Sequence, residues 1–249
     1  MPRGIDVEGY LARIGYAGPR HPTLETLRGL HRAHMLSAPF ENLDIHLGGW
    51  NVLARRTAYR KVVGLHRGGW CFELNGAFSL LLEQLGYRVT LLGARVHGDD
   101  GPSPLRNHLT LRVDLDRPWL ADVGFGDSFT RPILLDEAGA QRRDGRSYRL
   151  LRDGGRITLT EDGRSQYTFT LRPARMQSFA PANRVLQTDP ASHFVRNRIC
   201  SLATDHGRIS LSGLRLIETV DGSRSERTLR DDAEWREVLA SRFGVRLSS

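Results

Sequence analysis

A cysteine, a histidine and a carboxylate, in that chain order, supply the residue types that nucleophilic catalysis requires. Cys71 lies in Arg67-Gly68-Gly69-Trp70-Cys71-Phe72-Glu73-Leu74-Asn75-Gly76, between a Gly-Gly turn and an apolar run. Phe72, Ala77, Phe78, Leu81, Leu82 and Leu85 recur at helical spacing. Gly86 stands where a left-handed cap is expected. The spacing therefore predicts Cys71 in the first turn of a core helix, where unpaired N–H groups and the positive dipole end favour an anion. Thiols at helix starts are biased toward thiolate, the nucleophilic form. A buried structural cysteine is the competing reading, since free cysteine is among the most buried residue types.

Two further residues fit the nucleophilic reading. Asn107-His108-Leu109-Thr110-Leu111-Arg112-Val113-Asp114-Leu115 alternates as a strand with one apolar face, leaving His108, Thr110 and Arg112 on the other. Trp119-Leu120-Ala121-Asp122-Val123-Gly124-Phe125-Gly126 reads as a second short strand ending in a glycine-flanked loop. Asp122 is an isolated carboxylate in an apolar segment and needs a partner if buried. Cys71, His108 and Asp122 make a nucleophile, a base and an orienter. Residues 108 and 122 share parity, so hairpin pairing can bring them to one face. Direct opposition requires a turn centred on Leu115, whereas Pro118 favours a later bend, so a bulge or looser loop is needed.

The elements that must position these residues form an α+β pattern, helices first and strands second. Residues 5–37 read as helical, with Val7, Leu11 and Ile14 on one stripe. A second helix starts after the N-cap Thr23, with Leu24, Leu27, Leu30 and His31 on one side, and breaks at Ala38-Pro39. His31 and His34 have chelating spacing but no third ligand nearby, so they are read as packed or surface residues. Arg55 to Leu65 reads as a helix feeding Gly68-Gly69, which lets the backbone approach the cysteine helix closely. Strands follow at 89–96, 107–115, 119–123, 133–135, 147–151, 156–160 and 167–171, with turn signals at Gly154-Gly155 and Asp162-Gly163. That spacing suggests a small antiparallel barrel or sandwich. Residues 183–201 read as a helical or irregular connection, with Cys200 as packed core and His193 and His206 able to approach a pocket. Strands return over 208–230, and a last helix begins at Asp231, turns Trp235, Val238, Leu239 and Phe243 inward, and ends at Gly244.

At 249 residues, with 39% apolar and 26% charged residues, the composition is that of an ordinary globular chain. Two cysteines exclude a disulfide framework and a four-cysteine zinc site. No apolar run approaches the ~20 residues of a membrane span, and Met1 to Asp6 lacks an apolar signal core. A reduced, cytoplasmic protein is expected, with no nucleic-acid or membrane partner; the oligomeric state stays open. The net charge is +8 and carried mostly by arginine. The arginines are dispersed, and no basic run is interleaved with aromatics, which argues against nucleic acid. A positive surface would attract phosphate-bearing small molecules such as coenzyme A.

The run Arg67 to Glu73, followed by His108 and by Asp122-Val123-Gly124-Phe125-Gly126, resembles the arylamine N-acetyltransferase family. Pro39-Phe40-Glu41-Asn42-Leu43 resembles its N-terminal signature, as do Arg13-Ile14 and Leu27 to His34; Ser192-His193-Phe194, Cys200-Ser201-Leu202 and Thr228 to Leu247 resemble later segments. The likeness covers nearly the whole chain. It implies a helical bundle (1–86) carrying the cysteine, a β-barrel (87–190) carrying His and Asp, and a connecting segment with an α/β lid (191–249), around a cysteine-protease-like Cys-His-Asp core. It also implies two-step acetyl transfer from acetyl-CoA to an arylamine or hydrazine through an acetyl-cysteine on Cys71. His108 would serve as base and Asp122 as orienter. Phe40 and Phe125 would supply an apolar wall, Gly124 and Gly126 would leave room for CoA or acceptor, and Arg67 would orient Glu41. Acetyl-CoA would be a substrate, with no metal and no tightly bound cofactor. Amide synthases that close ansamycin-type polyketides resemble the same family, and the sequence given ends at Leu247-Ser248-Ser249, soon after the last helix, which keeps that alternative open. A cysteine hydrolase of papain or transglutaminase type is the more distant alternative.

Overall fold

The computed structural model describes residues 4–247; the readings that concern Met1 to Arg3 and Ser248-Ser249 lie outside the described residues. Helices occupy the first third: α1 (Val7–Arg13), α2 (Leu24–Ser37), α3 (Leu43–His46), α4 (Arg55–Tyr59) running into a π-helical turn (Arg60–Gly64), and α5 (Cys71–Gln84). Thr23 caps α2 by accepting the Thr26 N–H at 3.2 Å. Ala38, forced extended by the proline after it, ends that helix. Gly86 takes a positive φ of 88° just beyond α5.

The second helix is followed in the chain by a short strand, β1 (Phe40–Glu41), and α5 by β2 (Arg88–Gly98), β3 (Gly101–Pro102), β4 (His108–Asp114), β5 (Pro118–Ala121), β6 (Ile133–Leu134), β7 (Gln141–Arg143), β8 (Arg146–Asp153), β9 (Arg156–Glu161) and β10 (Arg164–Pro173). Except for β1, which lies in another sheet, and β3, which pairs only with β2, they run antiparallel in the order β6-β5-β4-β2-β10-β9-β8-β7 and curl into a nearly closed barrel. The two end strands meet through a side chain. Gln141 on β7 accepts the Leu134 N–H of β6 at 2.9 Å and donates to the Leu134 carbonyl at 2.9 Å. Leu92, Leu120, Phe129, Ile133, Tyr148, Leu159, Tyr167 and Phe169 fill the barrel core.

Strand β4 is buried on both faces, not on one. Leu111 and Val113 pack with Leu74, Phe78 and Leu81 of α5, Leu27 and Leu30 of α2, and Tyr10 of α1. His108 and Thr110, on the opposite face, are also enclosed. The polar face is buried because it carries a hydrogen-bonded site and not a solvated surface.

After α6 (Ala180–Thr188) and α7 (His193–Arg196), strands β11 (Ile199–Thr204), β12 (Gly207–Ser212), β13 (Arg215–Val220) and β14 (Ser223–Thr228) form a second sheet, which α8 (Asp232–Phe243) packs against. β11 replaces the irregular connection expected up to residue 201. It pairs with β1 as well as β12, so Phe40 lies opposite Ser201 and Glu41 opposite Cys200. Cys200 is fully buried, and Trp235, Val238, Leu239 and Phe243 of α8 point inward as expected. No helix among the described residues is long and apolar enough to cross a membrane.

Candidate active site

Cys71 is the first residue of α5. The turn before it is docked on β1: the Glu41 N–H donates to the Gly69 carbonyl and the Gly69 N–H to the Pro39 carbonyl. A Cβ on Gly68 would lie 1.9 Å from the Pro39 carbonyl oxygen, which is why this position tolerates no side chain. Glu73 caps the helix start by accepting the Trp70 N–H at 3.2 Å. Below it, Glu41, Asp44 and Glu73 share Lys61 and Arg67: Lys61 reaches Asp44 at 2.6 Å and Glu73 at 2.9 Å, and Arg67 reaches Glu41 and Asp44 at 2.8 Å. Arg67 thus meets Glu41 as the family likeness implied. Burial, with Glu41 adding to it, raises Glu73 to about 7 against the pull of Lys61.

The β4–β5 hairpin sets the second part of the site. Leu111 pairs with Ala121 and Asp114 with Pro118, so the turn centres on Asp116 and not on Leu115. Continuing that register, Asp122 lies across from Thr110 and diagonal to His108. The chain leaves the strand after Ala121, and the imidazole Nε2 meets Asp122 Oδ2 at 2.6 Å. Both side chains are essentially inaccessible. The Cys71 thiol donates to the carbonyl of Asn107, the residue before His108, at 3.7 Å, and lies near enough to the imidazole to influence its ionisation. With Nε2 committed to Asp122, Nδ1 is the atom left for sulfur. Burial opposes the imidazolium, but Asp122 and then Cys71 outweigh it and raise the His108 pKa to about 10. Asp122 is held below its ordinary range: burial is outweighed by His108, Asn75 and the Gly124 N–H. Cys71 is 6% exposed, whereas Cys200 is fully buried.

Two residues that sequence reasoning did not assign to the site hold Asp122 in place. Asn75, one turn after Cys71 on α5, donates to Asp122 Oδ1 at 2.8 Å and to the Leu109 carbonyl at 2.6 Å, and accepts the Val123 N–H at 2.9 Å. Its i+4 spacing from Cys71, in an otherwise apolar stripe, is the signal that marks it. His31 is fully buried; its Nε2 accepts the Asp122 N–H at 3.0 Å and its Nδ1 donates to the Thr130 carbonyl at 2.8 Å. Burial lowers its pKa to about 4, so it is neutral, as an acceptor nitrogen must be. His34 bonds the Tyr10 hydroxyl instead, and among the described residues no cluster of three or more His, Cys, Asp and Glu side chains is arranged to hold a metal.

Phe125 packs edge-on to His108 at 5.2 Å, and Phe40 packs with the cluster that contains Trp70, Cys71 and Phe72. Phe194 of α7 stacks near both Phe40 and Trp70, adding a C-terminal aromatic to that wall. Gly126 adopts φ 94° beneath the Phe40 ring. At Gly124 the space a side chain would use is taken by α5: a Cβ would lie 2.7 Å from the Cys71 Cα and 2.8 Å from Asn75 Nδ2. The glycine expected to leave room for a ligand here makes room for the cysteine turn itself. His193 stays exposed, bonded to Asn197, and His206 lines a separate cavity with Asp221.

A family model described as N-acetyltransferase matches residues 23–249. The arylamine N-acetyltransferase of Mycolicibacterium smegmatis is 36% identical over 255 residues, covering 98% of this chain and 93% of its own. The chain belongs to the arylamine N-acetyltransferase family. Arylamine N-acetyltransferases are acyltransferases. The solved structure of the Salmonella typhimurium arylamine N-acetyltransferase superposes with a TM-score of 0.93 at 30% identity, covering 99% of this chain and 94% of that one. The Mycobacterium marinum arylamine N-acetyltransferase, solved in complex with CoA, gives 0.89 at 34% identity over 96% of this chain and 93% of that one.

Proposed function

We propose that this family member moves an acetyl group from acetyl-CoA to an arylamine or hydrazine through an acetyl-cysteine on Cys71. The observation that carries this reading is the buried relay from Asp122 through His108 to the thiol at the start of α5. The relatives named for acting on arylamines, and the neighbour bound to CoA, supply the substrate classes. The high His108 pKa favours an imidazolium in the resting enzyme, and in this mechanism Cys71 attacks as the thiolate. Sγ attacks the thioester carbonyl; the first-turn N–H groups of α5 stabilise the tetrahedral oxyanion. The C–S bond to CoA breaks, and the leaving thiolate takes the His108 proton. The neutral imidazole then accepts a proton from the amine nitrogen as that nitrogen attacks the acetyl-cysteine, and the amide departs with the thiolate restored. Weakly basic aromatic amines suit the second step because they are neutral at pH 7.

Phe40 and Phe125 form the apolar wall for the acceptor, and the loop at Gly124 and Gly126 borders the entry of the CoA arm. The three stretches 1–86, 87–190 and 191–249 act as nucleophile carrier, base carrier and cover. A cytoplasmic enzyme of small foreign amines is the setting that fits. Intact mass spectrometry with acetyl-CoA, without and then with an arylamine, tests the reading against Cys71→Ala. One acetyl on wild type only, discharged by the amine with acetylated amine appearing, is the expected result. No adduct would remove acetyl-CoA as donor and direct the same assay to polyketide thioesters.

A further inference from the structure

Arg28, Arg131, Arg142 and Arg143 are dispersed in sequence, yet the fold gathers them with Asp144 around one surface cavity of about 350 Å³. Arg28 comes from α2, Arg131 from the segment between β5 and β6, and Arg142 and Arg143 from β7. Among the described residues none of the four guanidiniums enters an ion pair. Arg28 lies over the Trp119 ring, and Arg143 donates to the Arg142 carbonyl at 2.7 Å. Partial burial, then the charges of Arg28 and Arg131, hold Arg143 below its ordinary range, so the cations repel one another across the cavity. Asp144 brings one negative charge against four positive ones, and its carboxylate is already bonded to the N–H and hydroxyl of Thr130 at 2.9 and 2.8 Å.

Every residue lining the cavity is charged, and no aromatic ring faces it. An occupant is recognised by negative charge, not by stacking, and planar guanidinium forks match phosphate oxygens in pairs. We propose that this cavity binds a di- or triphosphate group. It adjoins the far end of the bonded chain that runs from Thr130 through His31 to Asp122, not the thiol end. The group has two sources: free inorganic polyphosphate, or the diphosphate of CoA.

Calorimetric titration of the full chain with inorganic pyrophosphate, in low-salt buffer free of phosphate and sulfate, tests the site. One saturable pyrophosphate per chain is expected, weakened about tenfold for each arginine lost in Arg131→Ala and Arg142→Ala. Asp144→Asn is expected to tighten binding several-fold. Asparagine tolerates the left-handed backbone at this residue (φ 50°) and keeps an acceptor for Thr130, so a gain there reads charge and not unfolding. Absence of saturable binding, or equal affinity in the Arg131→Ala/Arg142→Ala double variant, would overturn the site. Displacement of pyrophosphate by CoA but not by pantetheine would assign the CoA diphosphate as the source; no displacement would assign free polyphosphate.

Discussion

The His31 imidazole accepts the backbone N–H of Asp122 at 3.0 Å while its other nitrogen donates to the Thr130 carbonyl. Asp122 is thereby fixed from behind by α2, from the side by Asn75 of α5, and in front by His108. Residues from the helical layer and from the barrel both bond this carboxylate residue.

His31→Phe would fill similar space but leave the Asp122 N–H buried without an acceptor. The expected cost is about 1–3 kcal/mol of stability, read by urea unfolding. Activity should fall mainly in kcat, with KM for the amine little changed, because the substrate wall is untouched. Equal stability and unchanged kcat would remove His31 from the positioning of Asp122.

Asp122→Asn should collapse the His108 ionisation. Burial is the largest influence on that imidazole and lowers its pKa; Asp122 is the first of the two groups that raise it. With the carboxylate gone, the pKa should drop from about 10 to below 6.5, the ordinary histidine value. Nitrogen-15 NMR of the ring should show imidazolium at pH 8 in wild type and neutral imidazole in the variant. Cysteine acetylation should slow by about 10³–10⁴-fold, the scale seen when a triad orienter loses its charge.

Gly124→Ala places a methyl group 2.7 Å from the Cys71 Cα. Backbone must move, since no flexible side-chain end can yield there. The expected loss is about 1–3 kcal/mol in stability, and about 10²-fold in acetylation rate from displacement of the thiol. Thermal melts and single-turnover acetylation would measure both; wild-type values in the variant would mean that loop and helix are not in contact.

Acid should destabilise the fold through two of its buried histidines. His31 and His34 are buried with pKa values lowered to about 4 and about 3, against 6.5 when unfolded. The unfolded chain therefore binds more protons below pH 6.5, and stability is lost as pH falls from there toward 4. His108 works in the opposite direction: its contribution is complete below 6.5 and lost as pH rises through about 10. Urea midpoints measured from pH 4.5 to 10 should peak between these limits. A His31→Phe variant should show a shallower acid limb, and an unchanged limb would mean His31 is not neutral in the fold.

The local devices of the fold were readable in the sequence. Thr23 as a cap, the break at Ala38-Pro39, the helix opening at Cys71 and the inward face of the last helix all follow from short-range chemistry. What stayed hidden depends on partners distant in the chain. Strand β11 exists because Phe40–Glu41 and β12 pair with it, and nothing in Ile199–Thr204 alone announces this. The second buried face of β4 is polar in sequence and enclosed because Asp122, Phe125 and Tyr167 come to it from elsewhere in the chain. The family likeness pointed to Cys71, His108 and Asp122, but the atoms that hold Asp122 come from α2 and α5, and Gly124 serves helix contact. Arginines that look scattered along the chain become a cluster only when β7 lies beside α2.

Gln141 joins the two ends of the barrel with a single side-chain amide. A backbone ladder is indifferent to which residues compose it, whereas this seam is made by side chains: Gln141 on Leu134, flanked by Arg143 on the Pro132 carbonyl and Asp144 on Thr130. Were the amide lost, β6 and β7 would each present unpaired backbone, the template on which strands of separate molecules add to one another. The glutamine amide, which satisfies both polar groups of Leu134, thus covers backbone that would otherwise be an open edge, a role in keeping molecules apart and not in catalysis.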